Sequence, residues 1–294
     1  MKRLLRFAFI LVICAAAVGW FATAPVRVAK DTYATLTGDV AKGEIVFWAS
    51  GCASCHAAPK AEGADKLTLS GGYRIISPFG TFIAPNISPS PQGIAGWTTY
   101  DLANSLIAGV TKSGQHHYPS HPYTTYTKMQ PQDVAGLKAF LDQLPTSEVA
   151  SLPHELGFPF SIRRGIGLWK RLNLPDEWVL AEADTPELER GRYLVEALGH
   201  CAECHTPRNV MGGLDVARWM QGAPNPSGKG DIPAITPDKL DWSAGDIAYY
   251  LETGFTPEFD AAGGQMAKVV EAMSHLSASD RSSIAAYLKA LPGG

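Results

Sequence analysis

Apolar residues recur at helical spacing in several separated stretches of the chain, and the gaps between them are as informative as the stretches themselves. Asp39 caps a helix that runs through Gly43, Ile45, Phe47 and Trp48. Trp97 to Gly109 places Leu102, Leu106 and Ile107 on one face, with Thr98 or Thr99 as cap. Pro131 to Leu144 carries Val134, Leu137, Phe140 and Leu141 at the same spacing and stops at Pro145. Phe158-Pro159-Phe160 opens a shorter helix with Ile162, Ile166, Trp169 and Leu172 on one side and Arg163, Arg164, Lys170 and Arg171 on the other. Glu187–Leu198, Trp242–Gly254 and Leu276–Leu291 complete the helical set. Residues 57–96 and 206–239 lack periodicity and are rich in Gly and Pro. Loops of that length need a special reason inside a compact protein.

The pattern repeats. Pro85-Asn86-Ile87-Ser88-Pro89 returns as Pro233-Ala234-Ile235-Thr236-Pro237. Trp97, Asp101, Leu102, Ala103, Leu106 and Gly109 return as Trp242, Asp246, Ile247, Ala248, Leu251 and Gly254. Asp133, Ala139, Leu141, Leu144 and Pro145 return as Asp280, Ala286, Leu288, Leu291 and Pro292. Blocks in one order at nearly one offset imply an internal duplication.

What each copy is built around follows from its cysteines. Cys52-Ala53-Ser54-Cys55-His56 and Cys201-Ala202-Glu203-Cys204-His205 both read Cys-x-x-Cys-His, the attachment signature of a c-type haem. Two thiols three positions apart can each add to one porphyrin vinyl group, and the adjacent His then reaches the iron from the proximal side. A haem also supplies the reason for the long loops, which wrap it. The expected fold is therefore mainly α: two tandem cytochrome c-type haem domains after an N-terminal transmembrane anchor or signal helix. The expected boundaries are 1–24 for the anchor or signal segment, 38–145 for the first domain, 146–184 for a linker and 185–294 for the second domain. The expected cofactors are two covalently bound haem c groups on Cys52, Cys55, His56, Cys201, Cys204 and His205. A zinc site built on the same cysteines would need a further ligand for each motif, and nothing is spaced to supply one.

An iron that only moves electrons takes a sixth ligand, and a soft thioether raises its potential. Met129, just before the third helix, is the expected ligand of the first iron; His116, His117 and His121 compete with it. The repeat places Leu276 opposite Met129, so the second iron draws its ligand from elsewhere. Met266, after Gly263-Gly264, is the expected choice, with Met273 next and Met211 and Met220 as further candidates. A Met in such a place is commonly core filler.

Composition and charge narrow the class. The chain of 294 residues has room for about two domains. It is 46% hydrophobic and 18% charged, with a net charge of -3. No Lys/Arg run or basic stripe points to nucleic acid. The basic residues Lys2, Arg3 and Arg6 precede an apolar run from Phe7 to Ala24, broken only by Thr23. As a helix this run is roughly 27 Å long, at ~1.5 Å per residue, near the lower limit for crossing a ~30 Å hydrocarbon core. Ala22-Thr23-Ala24 resembles a cleavage site, but Pro25 disfavours cleavage, so an uncleaved anchor is preferred to a removed signal peptide. Basic residues remain on the cytoplasmic side, which puts the body on the periplasmic side of the inner membrane, or in the periplasm if the leader is removed. The fifth cysteine, Cys14, lies within this run and leaves no pair for a disulfide. The basic segment around Arg163 and Arg164 reads as an inter-domain brace, with a membrane or partner contact as the alternative. Arg74, Arg163, Arg164 and Arg208 are candidates to neutralise haem propionates.

Three stretches carry a family resemblance. Tyr118-Pro119-Ser120-His121-Pro122-Tyr123 leading to Met129, Gly199 to Asn209 around the second motif, and Gly264-Gln265-Met266-Ala267-Lys268-Val269-Val270 resemble the cytochrome c subunits of membrane-associated bacterial dehydrogenases that oxidise alcohols, aldehydes, sugars or sugar acids. Phe158-Pro159-Phe160 and Trp169-Lys170 fit the same family. The resemblance implies Met266 as second-haem ligand and a dehydrogenase as partner. It also implies single-electron transfer onward to a quinone, another cytochrome or an oxidase, with no substrate site in this chain. Many such subunits carry three haem motifs where this chain has two. The alternative is a di-haem enzyme, a peroxidase or sulfur-compound oxidase, with one open or unusual haem.

Overall fold

The computed structural model describes residues 1–174, 177–225 and 230–293; residues 226–229 of the expected second haem loop and the terminal Gly294 lie outside them. The helices follow the periodic stretches closely. Val40–Ala49 is capped by Asp39, whose carboxylate accepts from the Ala41 and Lys42 N–H groups. Thr99–Leu106 begins at Thr98 and Ala244–Thr253 at Ser243. Each has a reciprocal capping box with the Asp three residues on. Pro131–Leu141 and Ala278–Ala290 close the two halves.

The helices of each half cross in the same way. Val40–Ala49 packs on Pro131–Leu141, with the Phe47 and Phe140 rings 5.1 Å apart. Pro186–Tyr193 packs on Ala278–Ala290. Both crossings are close because a glycine stands at the contact. A Cβ on Gly43 would lie 1.9 Å from the Gly136 carbonyl oxygen, and one on Gly191 would lie 2.0 Å from that of Ser283. The middle helix of each half, Thr99–Leu106 or Ala244–Thr253, lies against the closing helix.

Three elements depart from expectation. The segment taken as uniformly non-periodic contains a hairpin, Arg74–Ser77 with Gly80–Ile83, and Glu155–Leu156 adds a third antiparallel strand. These strands are too short to print a period. The terminal helix expected from Leu276 is preceded by a separate helix, Gly264–Ser274. The brace helix starts only at Gly165, after the Phe158–Pro159 turn. Its buried positions are Gly167 and Lys170, whereas Ile162, Leu168 and Leu172 are exposed. Of the apolar side, Ile166 and Trp169 are half-buried and the rest is open. Gly167 fits against the Thr23 backbone, and the Lys170 ammonium donates to the carbonyls of Ala108 and Gly109, both at 2.7 Å, over the Tyr123 ring. Trp169 and Asn173 reach Met211 and Asn209 at the other end, so this helix touches both halves.

One hydrophobic core runs through both halves, from Val46, Phe47 and Leu137 to Leu198, Ile284 and Tyr287. Trp48 stacks on His275 at 3.6 Å, Lys66 pairs with Glu271, and the Tyr193 hydroxyl donates to Asp133 while accepting from the Gln130 N–H. Lys2–Ala22 is a helix with no buried residue and a mean hydropathy of 2.3. It meets the body at its end, where Arg164 lies over Trp20 and His116 bonds to the Thr23 carbonyl at 2.9 Å.

Candidate functional site

Each Cys-x-x-Cys-His motif is a short helical turn placed directly after a core helix. Val40–Ala49 ends at Ser50, Gly51 turns the chain with φ +59°, and Cys52–His56 follows. In the second half Pro186–Tyr193 continues as a wider π turn, Leu194–Leu198, before Cys201 and Ala202–His205. The histidine at the end of each turn is held by one proline carbonyl. His56 Nδ1 lies 2.9 Å from the Pro85 oxygen, and His205 Nδ1 lies 2.8 Å from that of Pro233. A carbonyl oxygen only accepts, so Nδ1 carries the proton and Nε2 is left with its lone pair. Burial pushes both imidazoles towards the neutral form, which a metal requires of its ligand. The proline blocks that repeat in the sequence thus have a role not assigned to them there: their backbone orients the two histidines.

The surrounding loops repeat as well. The Gly71 N–H donates to the His56 carbonyl and the Gly222 N–H to that of His205, both at 2.7 Å. Ile87 bonds back to Leu69 at 3.0 Å and Ile235 to Met220 at 2.9 Å. Met220 is therefore the counterpart of Leu69, a fully buried core residue beside the histidine loop. Gly71 and Gly222 both have positive φ, and a Cβ at either would strike the following proline segment within 2.8 Å.

None of the four motif cysteines forms a disulfide. Burial pushes Cys52 up to about 12 and Cys201 up to about 11, and it raises Cys55 and Cys204 as well. Each shift disfavours the thiolate form that a zinc or redox-active pair requires. Among the described residues no group of three or more His, Cys, Asp and Glu is arranged to hold a bare metal ion. The donor set in each half is two thiols and one oriented imidazole, which fits a covalently tethered haem.

The motifs lie close together. Thr124, in the first half, donates to Glu203 of the second motif at 2.7 Å. The Tyr126 hydroxyl donates to the Ser50 carbonyl, next to the first motif. His200 is half-buried beside Gly51. The arginines named as propionate partners already have contacts within the protein. Arg74 pairs with Glu155, Arg208 with Glu203, Arg163 bonds the His116 carbonyl, and Arg164 bonds Thr23.

The distal candidates separate. Met129 is 3% exposed, and its N–H bonds to the Tyr126 carbonyl just before the closing helix. Leu276 is 4% exposed and bonds to Met273 in the same way, so the counterpart inferred from the sequence is also the structural one. Met266 is half-buried on the helix face that carries buried Val270 and Met273. His116 is tied to Thr23, and His117 Nε2 bonds to the Ser105 hydroxyl at 3.0 Å. His121 Nε2 lies 3.2 Å from the Ser105 carbonyl. Burial pushes this imidazole down to about 3, with the charge of His56 adding to the shift.

These features find counterparts in known proteins. The cytochrome c family model matches residues 40–145. A diheme cytochrome c-type protein of Cereibacter sphaeroides is 56% identical over 293 residues, 99% of each chain. The fructose dehydrogenase cytochrome subunit of Gluconobacter japonicus is 33% identical over 86% of this chain and 52% of its own length. The cytochrome c subunit of the quinone alcohol dehydrogenase of Gluconobacter oxydans is 30% identical over 86% of this chain and 55% of its own. The chain spans about half the length of those two subunits. It belongs to the cytochrome c family, and its cofactor is covalently bound haem c.

Proposed function

We propose that this chain is a di-haem electron carrier made of two cytochrome c domains, 38–145 and 185–294, joined by a linker at 146–184. The repeat of one oriented histidine per half, His56 on Pro85 and His205 on Pro233, carries this reading. Cys52 and Cys55 would tether one haem, Cys201 and Cys204 the other, and Met266 would be the distal ligand of the second iron. Haem c, when bound, supplies one-electron exchange between ferric and ferrous iron. The chain's own residues hold, orient and insulate: Nδ1–H bonds fix the two imidazoles, and the common core keeps the two motifs at a fixed separation.

The carrier takes electrons from a partner dehydrogenase and passes them to the respiratory chain through a quinone, a cytochrome or an oxidase. Support comes from the dehydrogenase subunits among the relatives. Lys2–Ala22 would anchor it in the inner membrane with the body facing the periplasm; the helix is long and apolar enough to do so. The decisive experiment is to express the chain with its leader in a host that matures c-type cytochromes. A pyridine haemochrome assay should give two haems per chain, retained on a denaturing gel, and dithionite titration should take up two electrons. Ferric protein that rapidly binds cyanide or turns over peroxide would favour the di-haem enzyme instead. A colourless polypeptide would end both readings.

A further inference from the structure

The two halves keep one register from the middle helix into the loop beyond it. The capping boxes Thr98–Asp101 and Ser243–Asp246 correspond at an offset of 145. The same offset relates the bridge Val110↔His116 to Phe255↔Ala261. It relates the Thr111 N–H on the Gln115 carbonyl, 2.8 Å, to the Thr256 N–H on that of Asp260, also 2.8 Å. It relates the His117 N–H on the Gly109 carbonyl, 2.8 Å, to the Ala262 N–H on that of Gly254, 2.7 Å. Four residues beyond that last bond stand His121 in one half and Met266 in the other. The closing helices keep a different register, in which Met129 meets Leu276. Two extra residues in the second half, taken up where Gly264–Ser274 replaces the shorter helix Tyr123–Tyr126, account for the change.

Only one of these two pairs offers an iron ligand in both halves. Leucine has no donor atom, so the Met129 position serves packing in at least one copy. His121 and Met266 both can ligate. We infer that His121, which holds the register position of Met266, is the distal ligand of the first iron, so that the first haem is held by two imidazoles and the second by an imidazole and a thioether. The local geometry agrees. The Ser105 carbonyl takes the Nε2–H of His121 and leaves Nδ1 with its lone pair, the opposite tautomer to the one that the proline carbonyls fix in His56 and His205. The ring lies 6.0 Å from that of Tyr126, whose hydroxyl bonds to Ser50 beside the first motif. An imidazole favours ferric iron relative to a thioether, so the first haem has the lower potential and electrons run from the first half to the second.

The inference rests on the di-haem reading, and the test separates the two. Two haems by pyridine haemochrome establish the reading; fewer than two end the reading and the inference together. On that holoprotein, the near-infrared charge-transfer band of ferric iron bound to methionine sulfur should have the intensity of one haem, not two. His121→Met should double that band and raise the lower of the two midpoint potentials. Met129→Leu should leave both unchanged. Should His121→Met fail to accumulate, His121→Ala should turn one haem high-spin, and added imidazole should restore the low-spin spectrum. A wild-type band worth two haems would overturn the inference, as would a band halved or a haem made high-spin by Met129→Leu.

Discussion

At the scale of single residues, buried polar side chains set the local terms. Glu196 is 2% exposed, yet its carboxylate accepts from the Val179 and Leu180 N–H groups and from the Tyr287 hydroxyl, at 2.7, 3.0 and 2.8 Å. Glu196→Leu would orphan these donors at a cost of about 3 kcal/mol; a denaturant titration of the holoprotein reads it. Lys170 offers a pH signature. Burial pushes its ammonium down from 10.5 to about 8. Between those values the unfolded chain holds more protons than the folded one, so this group makes stability rise with pH across that window. Lys170→Met removes the titration. The melting temperature of the wild type, relative to this variant, should therefore climb from pH 8 to pH 10. The site was partly legible at this scale. Cys-x-x-Cys-His announces itself, because covalent attachment needs that local spacing. The role of the Pro85 and Pro233 carbonyls was not legible, because a backbone acceptor about 29 residues away leaves no side-chain signal.

At the scale of elements, caps and crossings decide. Thr98→Ala and Ser243→Ala each remove a capping box and should cost about 1 kcal/mol. Gly43→Ala and Gly191→Ala push a methyl group into a facing carbonyl and should cost at least about 2–3 kcal/mol. Thermal unfolding of the four variants should therefore fall into two groups, with the glycine substitutions clearly lower. Helices with a polar cap and a regular apolar face were read to within a few residues. The Gly264–Ser274 helix carries no start signal in the sequence because it opens on Gly-Gly without a side-chain cap. The brace helix packs through positions that its apolar pattern does not mark. Its apolar periodicity is genuine, but the tertiary contacts reward Lys170 for reaching two carbonyls and Gly167 for admitting the Thr23 backbone.

At the scale of the whole molecule, the halves share a core and a polar seam. Tyr193→Phe removes the hydroxyl between Asp133 and Gln130 and should lower stability by about 1 kcal/mol. Because the core is continuous, unfolding of the variant should stay a single transition; a calorimetric scan with two resolved peaks would contradict this. Replacing residues 1–24 with a cleavable leader should release the protein from membranes with both haems kept, which fractionation and haem staining would show. The amino-acid sequence alone determined the two attachment motifs, the internal duplication, the helical class and the apolar leader. Each of these is written in local spacing or in periodicity, and neither needs a fold to be read. Tertiary structure alone decided which distant groups meet: the proline carbonyls behind the histidines and the inward side of the brace. Such pairings depend on how long loops close in space, which neither local spacing nor periodicity records.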